Sequence, residues 1–192
     1  MKTDSKMTRD RVPSVEECRR LIAEHGMLPN IIKHSEQVMR VAASIVDDLE
    51  DGTTVDRGLT VASALLHDIT KTRALETKER HDESGGALVR ALGMECVAEI
   101  IEQHVYLKDF DPEGPLLEKE IVYYADKRVM HDTVVSLDER VEDLVRRYGT
   151  TPERVALIRK NLEYARVVEA KIERRMKTGM RATLGHTERG DG

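Results

Sequence analysis

Apolar residues recur at helical spacing along most of this chain, and no convincing run alternates with the period of two that a half-buried strand requires. One stripe shares a helix face with His34, within a helix expected from about residue 31 to 49. Its members are Val38, Val41, Ala42, Ile45 and Leu49. Another stripe starts after Thr151-Pro152 and runs from Val155 to Met176. The sequence therefore predicts an all-α fold.

The chain is long enough for one domain with a substantial core, because it has 192 residues. It contains one Phe and no Trp, so that core must be largely aliphatic. We expect a single helical bundle over residues 13–178, between a flexible N-terminus (1–12) and a flexible tail (179–192). Ser14 with Glu17 three positions later predicts a capped N-terminal helix.

Charge and cysteine content narrow the class of protein. The formal net charge is -5, which argues against broad nucleic-acid binding and against attraction to acidic membranes. No apolar run approaches the ~20 residues that span a bilayer, and residues 1–12 lack the apolar segment of a secretory signal. Cys18 and Cys96 show no disulfide or zinc-ribbon spacing, and we expect Cys96 to be a small core residue. A cytoplasmic protein is predicted.

The run from Ser63 to Leu66 is small and apolar, and it ends abruptly in His67 and Asp68. Burying an imidazole beside a carboxylate is costly unless something compensates both groups, and a metal ion would do so. His34 lies on the apolar face of the helix over 31–49, and Asp126 lies on that of a helix expected over 116–130, so the fold could bring all four together. A further helix, expected over 94–106, carries His104. Such a mixture of His and Asp suits one or two divalent ions of Mn, Fe, Co, Ni, Zn or Mg.

The order His34, His67-Asp68, Asp126 resembles that of the HD-domain metal-dependent phosphohydrolases of the HDIG type. The segment from His67 to Lys71 is similar to their HDIGK variant, with Thr70 where the variant has glycine. The resemblance covers roughly residues 30–148 and leaves the N-terminal helix and the long C-terminal helix outside. The departure at Thr70 concerns the geometry of the turn and not a ligand.

This resemblance implies an all-α fold of at least five helices and hydrolysis of a phosphomonoester or phosphodiester by a metal-activated water. The implied substrate is a nucleotide or cyclic nucleotide. The implied ligands are His34, His67, Asp68 and Asp126 for one metal, and His81 and His104 for a second, with Asp68 bridging.

Beyond the ligands, we expect Lys71 to contact a phosphate and Asp126 to hold the attacking water as well as a metal. Lys127 and Arg128 are candidates to assist Lys71 in this phosphate contact. Residues 69–82 are polar and are expected to form a loop that, with residues 106–116, selects the substrate.

Each assignment has a structural alternative. A His on an apolar face is often an ordinary core residue, His81 could simply contact the next helix, and Lys71 could be solvated. The second His-Asp dipeptide of the chain, His131-Asp132, is interpreted as a solvated turn, and His186 lies in the polar tail. A basic cluster is read as the solvated end of the long helix. Its members are Lys171, Arg174, Arg175, Lys177 and Arg181.

The alternative function is a non-catalytic regulatory module that binds a metal or a nucleotide. A nucleic-acid phosphodiesterase is disfavoured by the acidic balance and the low aromatic content. A homodimer is expected if the stripe on the long helix exceeds what one domain can cover.

Overall fold

The structure of the protein is a computed structural model that describes residues 10–185. Residues 1–9 and 186–192, which include most of the predicted flexible N-terminus and His186, lie outside the described residues. The elements in chain order are α1 (Val15–Glu24), α2 (Pro29–Asp47), α3 (Arg57–Leu66), α4 (Lys71–Thr77), α5 (His81–Ala91), α6 (Glu95–Ile101), α7 (Glu118–Lys127), β1 (Val129–Met130), β2 (Thr133–Val134), α8 (Leu137–Tyr148), α9 (Pro152–Glu173) and α10 (Met180–Leu184). The all-α prediction is confirmed, apart from this short antiparallel hairpin.

The centre of the bundle is α3, whose last seven residues, 60–66, are all buried. A helix that is covered on every side lies inside the core and does not line its edge. Ala64 faces one apolar cluster, built mainly with α2, α7 and α9, whereas Leu65 and Leu66 face another with α1, α5 and α6. The end of α3 therefore delivers His67 and Asp68 to the middle of the molecule.

Side-chain caps mark the starts of four of the described helices. The side chains of Ser14, Asp56 and Thr151 accept a backbone N–H at the starts of α1, α3 and α9. Ser136 and Glu139 form a reciprocal capping box at α8. Gly26 follows α1 with a φ of +61°, a conformation in which glycine avoids the strain of a Cβ.

Two stretches between His67 and Val134 contain elements that the sequence did not predict. The expected loop at 69–82 contains α4, which buries none of its residues and so has no apolar stripe to reveal it. The helix expected over 116–130 ends at Lys127, and the chain turns into the β1–β2 hairpin. Strands of two residues are too short to show alternation.

The interpretation of the basic cluster as a solvated helix end is corrected at Lys171, because the end of α9 packs against other parts of the fold. Lys171 is buried, and its Nζ lies 2.8 Å from Glu120 Oε1 and 2.7 Å from the carbonyl oxygen of Asp111. After α9, the backbone N–H of Lys177 donates to the carbonyl of Asp48 at 2.8 Å. The prediction of a frayed segment from Gly179 made no allowance for α10, whose Met180 is buried.

The prediction for Cys96 is wrong, because this residue is exposed in the first turn of α6, where it contacts Asp10. Cys18 is the buried cysteine, on the inner face of α1.

None of the described helices combines the length and the apolar character needed to cross a membrane.

Candidate metal centre

Six side chains from five places in the chain meet at one end of α3. His34 comes from the second turn of α2, His67 and Asp68 follow α3 directly, and Asp126 lies in the last turn of α7. His81 is the first residue of α5. His104 was expected within a helix, but it lies in the turn after α6, which ends at Ile101.

The first group consists of His34, His67, Asp68 and Asp126, all buried. His34 Nε2 lies 3.0 Å from Asp126 Oδ1. His67 Nε2 lies 3.4 Å from Asp68 Oδ2 and 3.7 Å from Asp126 Oδ1. One imidazole nitrogen therefore faces two carboxylate oxygens.

The second group uses the other oxygen of Asp68. Asp68 Oδ1 lies 3.2 Å from His81 Nε2 and 3.6 Å from His104 Nε2. The two imidazole nitrogens are 3.1 Å apart. The carboxylate of Asp68 thus joins the two groups, one oxygen to each.

Backbone carbonyls orient three of the four histidine rings. His67 Nδ1 lies 2.7 Å from the carbonyl oxygen of Ala64, and His104 Nδ1 lies 2.7 Å from that of Ile101. His34 Nδ1 lies 3.0 Å from the carbonyl oxygen of His131. A carbonyl oxygen can only accept, so each Nδ1 carries the proton. In the neutral rings the Nε2 lone pairs then point into the centre, as ligation by Nε2 requires.

This arrangement fits a cation. Among the described residues, His67 Nε2 and Asp68 Oδ1 are buried and have no hydrogen-bond partner. An acceptor nitrogen that faces carboxylate oxygens is unfavourable, and a divalent ion between them would satisfy both sides. Imidazole nitrogens and carboxylate oxygens suit divalent ions of borderline hardness, and none of the six side chains is a cysteine. His34, His67 and Asp68 have ligand atoms close enough together to hold one ion, and so do Asp68, His81 and His104.

Two lysines form ion pairs with the two carboxylates of the centre. Lys71 Nζ lies 2.8 Å from Asp68 Oδ2, and Lys127 Nζ lies 2.8 Å from Asp126 Oδ2. Burial alone would raise the pKa of both carboxyl groups. The charge of Lys71 holds the pKa of Asp68 well below its ordinary value, and Lys127 does the same for Asp126. Both carboxylates are therefore ionised, as ligands must be.

The pKa values of His67 and His104 shift in opposite directions, although both rings are buried. Burial opposes protonation of His67, but the charge of Asp68 raises its pKa above the ordinary value. Burial lowers the pKa of His104 to about 4, so this imidazole is neutral and free to ligate at neutral pH.

Sequence reasoning missed two supporting contacts. The hydroxyl of Thr70 donates to the carbonyl oxygen of His81 at 2.9 Å and so fixes the start of α5. The turn at His131, which was discounted, supplies the carbonyl that orients His34. Arg128, expected as a helper, instead contacts the Val135 carbonyl oxygen and the Tyr124 hydroxyl, on the far side of α7. No motif signals a backbone contact of this kind.

The centre opens into a cavity of about 600 Å³. Its walls include Lys71, Lys127, Arg140, Arg147, Tyr148 and Asn161. A cavity of this size is large enough for a small-molecule ligand.

Comparison with known proteins gives a distant curated relative and a family. The chain is 26% identical to a tRNA (cytidine(56)-2'-O)-methyltransferase of Picrophilus torridus, in an alignment that covers 68% of this chain and 40% of that protein. This chain therefore spans well under half of that relative. No solved structure matches it significantly. The family model described as HD domain matches residues 31–131, which is more than half of the chain, and this chain therefore belongs to the HD domain family.

Proposed function

We propose that this protein is a metal-dependent phosphohydrolase that hydrolyses a small phosphomonoester or phosphodiester, with nucleotides and cyclic nucleotides as the leading class. One observation carries the proposal. Asp68 is buried between two groups of imidazole nitrogens, and its Oδ1 lies 3.2 Å from His81 Nε2. Among the described residues, this oxygen nevertheless has no hydrogen-bond partner. Such a carboxylate is suited to share its two oxygens between two ligand sets.

His34, His67, Asp68 and Asp126 would hold one ion, and Asp68, His81 and His104 a second. A divalent ion bound there supplies Lewis acidity, which makes water more acidic and offsets charge on a phosphoryl group. Asp126 Oδ1 faces His34 and His67, while its Oδ2 is held by Lys127, so this carboxylate is fixed in orientation. We assign to it the positioning of the attacking water.

Lys71 contributes the phosphate contact. Its side chain is about one-third exposed and lines the cavity while its Nζ touches Asp68. An ammonium group there can shift from the carboxylate toward an incoming phosphate oxygen and act as a point charge.

A non-catalytic module is the second candidate, and the relative provides the reason to keep it. That protein carries the name of a tRNA methyltransferase, and this chain matches only 40% of its length. A segment similar to this chain can therefore occur in a protein that is named for a different reaction.

The decisive experiment combines ion loading with a substrate screen. The purified chain is stripped with a chelator, reloaded separately with Mn, Fe, Co, Ni or Mg, and assayed for phosphate release from nucleotides and for cleavage of cyclic nucleotides. We expect ion-dependent turnover that Asp126→Asn abolishes. Tight binding of an ion without turnover on any of these esters would contradict the hydrolase and support the module.

A further inference from the structure

Helix α8 lies beyond the residues that match the HD domain, and it carries three arginines around one carboxylate. Asp143 Oδ1 lies 2.8 Å from Arg146 Nη2 and 3.0 Å from Arg147 Nε. Its Oδ2 lies 3.3 Å from Arg140 Nη1. The side chain of Asp143 is only 2% exposed, and one negative charge cannot balance three positive ones. The cluster is therefore an excess of positive charge fixed in place by a buried carboxylate.

Two of these arginines, Arg140 and Arg147, line the cavity in front of the candidate metal centre. Arg146 does not line it, and its side chain is 76% exposed. All three contact the same carboxylate, but only two can meet a molecule in the cavity.

Arg147 also contacts His131, a residue next to the candidate metal centre. Its Nη2 donates to Nε2 of His131 at 2.7 Å, and the carbonyl oxygen of His131 is the one that orients His34. A guanidinium has five N–H donors. The contacts with Asp143 and His131 use two of them, which leaves donors for a ligand.

Arg140 is more deeply placed. Its side chain is 12% exposed, and within the described part of the chain its buried Nε has no hydrogen-bond partner. A buried donor without a partner costs free energy, and a small shift of the side chain toward an anionic group in the cavity would remove that cost. Arginine also suits phosphate because its planar fork can donate two parallel hydrogen bonds.

We propose that Arg140 and Arg147 bind a second anionic group of the substrate, on the leaving-group side of the ester. This inference rests on the proposed function and sharpens it. The substrate class is then a phosphate ester whose leaving group carries another phosphate, such as a nucleoside bisphosphate. Arg140 and Arg147 are specificity-determining residues in this scheme.

The first test measures anion binding without turnover. Inorganic pyrophosphate is titrated into the metal-free chain by calorimetry. Arg140→Gln and Arg147→Gln should each weaken binding at least about tenfold, and Arg147→Lys should recover part of the loss. Arg146→Gln is the matched control, because it also removes one contact with Asp143 but lies outside the cavity; it should bind within about twofold of the parent. Thermal unfolding of each variant checks that the fold is kept.

The second test uses the ion-loaded protein and compares kcat/KM for adenosine 3′,5′-bisphosphate with that for adenosine 5′-monophosphate. The ratio should favour the bisphosphate in the parent and fall about tenfold in Arg140→Gln and Arg147→Gln, but not in Arg146→Gln. Pyrophosphate binding that none of the variants alters, or that Arg146→Gln weakens equally, would overturn the proposal. Arginine-dependent binding in a protein without turnover would instead remove the hydrolase and keep the anion site.

Discussion

The two halves of the candidate metal centre share Asp68 but are built differently. In the first half, His34 and His67 are both buried, and backbone carbonyls hold both rings in one orientation. In the second half, only His104 is held in this way. His81 opens α5 with its side chain 24% exposed, and its position depends on the contact between Thr70 and the His81 carbonyl.

The first half of the centre is therefore more rigid than the second. Ligands that buried backbone groups already orient lose little conformational entropy when an ion binds. A partly exposed ligand must be ordered at that moment, which costs free energy. We therefore expect the first half to bind its ion more tightly than the second.

Replacing Asp68 by alanine should remove both halves at once, because each uses one of its oxygens. We expect loss of bound ion and a fall in turnover on the order of 10³-fold or more. Elemental analysis and the ester assay measure the two effects.

Asp132→Ala serves as the control, since it alters the other HD dipeptide at an exposed turn. It should keep its ion. A chain with Asp68→Ala that retains ion and activity would refute the shared-ligand scheme.

Replacing one histidine in each half separates the two. His81→Ala should leave about one bound equivalent per chain and should weaken the remaining activity roughly 10- to 100-fold. His67→Ala should release the tighter ion, because its Nε2 faces both Asp68 and Asp126. Equilibrium dialysis with Mn²⁺ gives both numbers, and equal losses in the two variants would show that the halves do not differ.

Acid should destabilise the ion-free protein through His104. Its pKa falls from 6.5 to about 4 on folding, so the unfolded chain binds a proton that the folded chain refuses. Stability should therefore drop as the pH decreases from about 6.5 to 4, by up to about 3 kcal/mol from this group. His104→Asn should flatten that drop in urea unfolding curves.

His67 should behave in the opposite way, since its folded pKa is raised. Its contribution is present below the ordinary value of 6.5 and is lost as the pH rises through the folded pKa. His67→Asn should therefore cost more stability at pH 6 than at pH 9. The same pH trend in both variants would contradict the assignment of opposite environments.

The smallest effect is expected for Thr70→Val, which keeps the side-chain shape but removes the hydroxyl that donates to the His81 carbonyl. The second ion should bind a few-fold more weakly, with the first unchanged. An unchanged second equivalent in the dialysis experiment would show that Thr70 does not support His81.

Local patterns were enough to predict much of this architecture. The stripes on α2 and α3 reveal helices that bury one or more faces, and the capping residues Ser136 and Glu139 mark where α8 begins. These stripes, together with the one on α7, placed His34, Asp68 and Asp126 toward the core, where the structure brings them together. The exposed α4 could not be found this way, because it has no buried face to create a pattern.

Other features depend on contacts that sequence does not record. The pairing of Lys171 with Glu120 joins residues 51 positions apart, so a lysine in a basic run becomes a core residue. The hairpin after α7 brings the carbonyl oxygen of His131 back to His34 across 97 positions. Arg140 and Arg147 of α8 share a cavity with the centre only because of tertiary packing. Each of these requires the assembled fold.

The central claim is that buried imidazoles and carboxylates converge here to hold cations. Crystals grown with Mn²⁺ and measured at the manganese absorption edge would test it directly. We expect an anomalous peak among His34, His67, Asp68 and Asp126, and a weaker one among Asp68, His81 and His104. A map with Mn²⁺ bound elsewhere on the protein and no peak at Asp68 would contradict it.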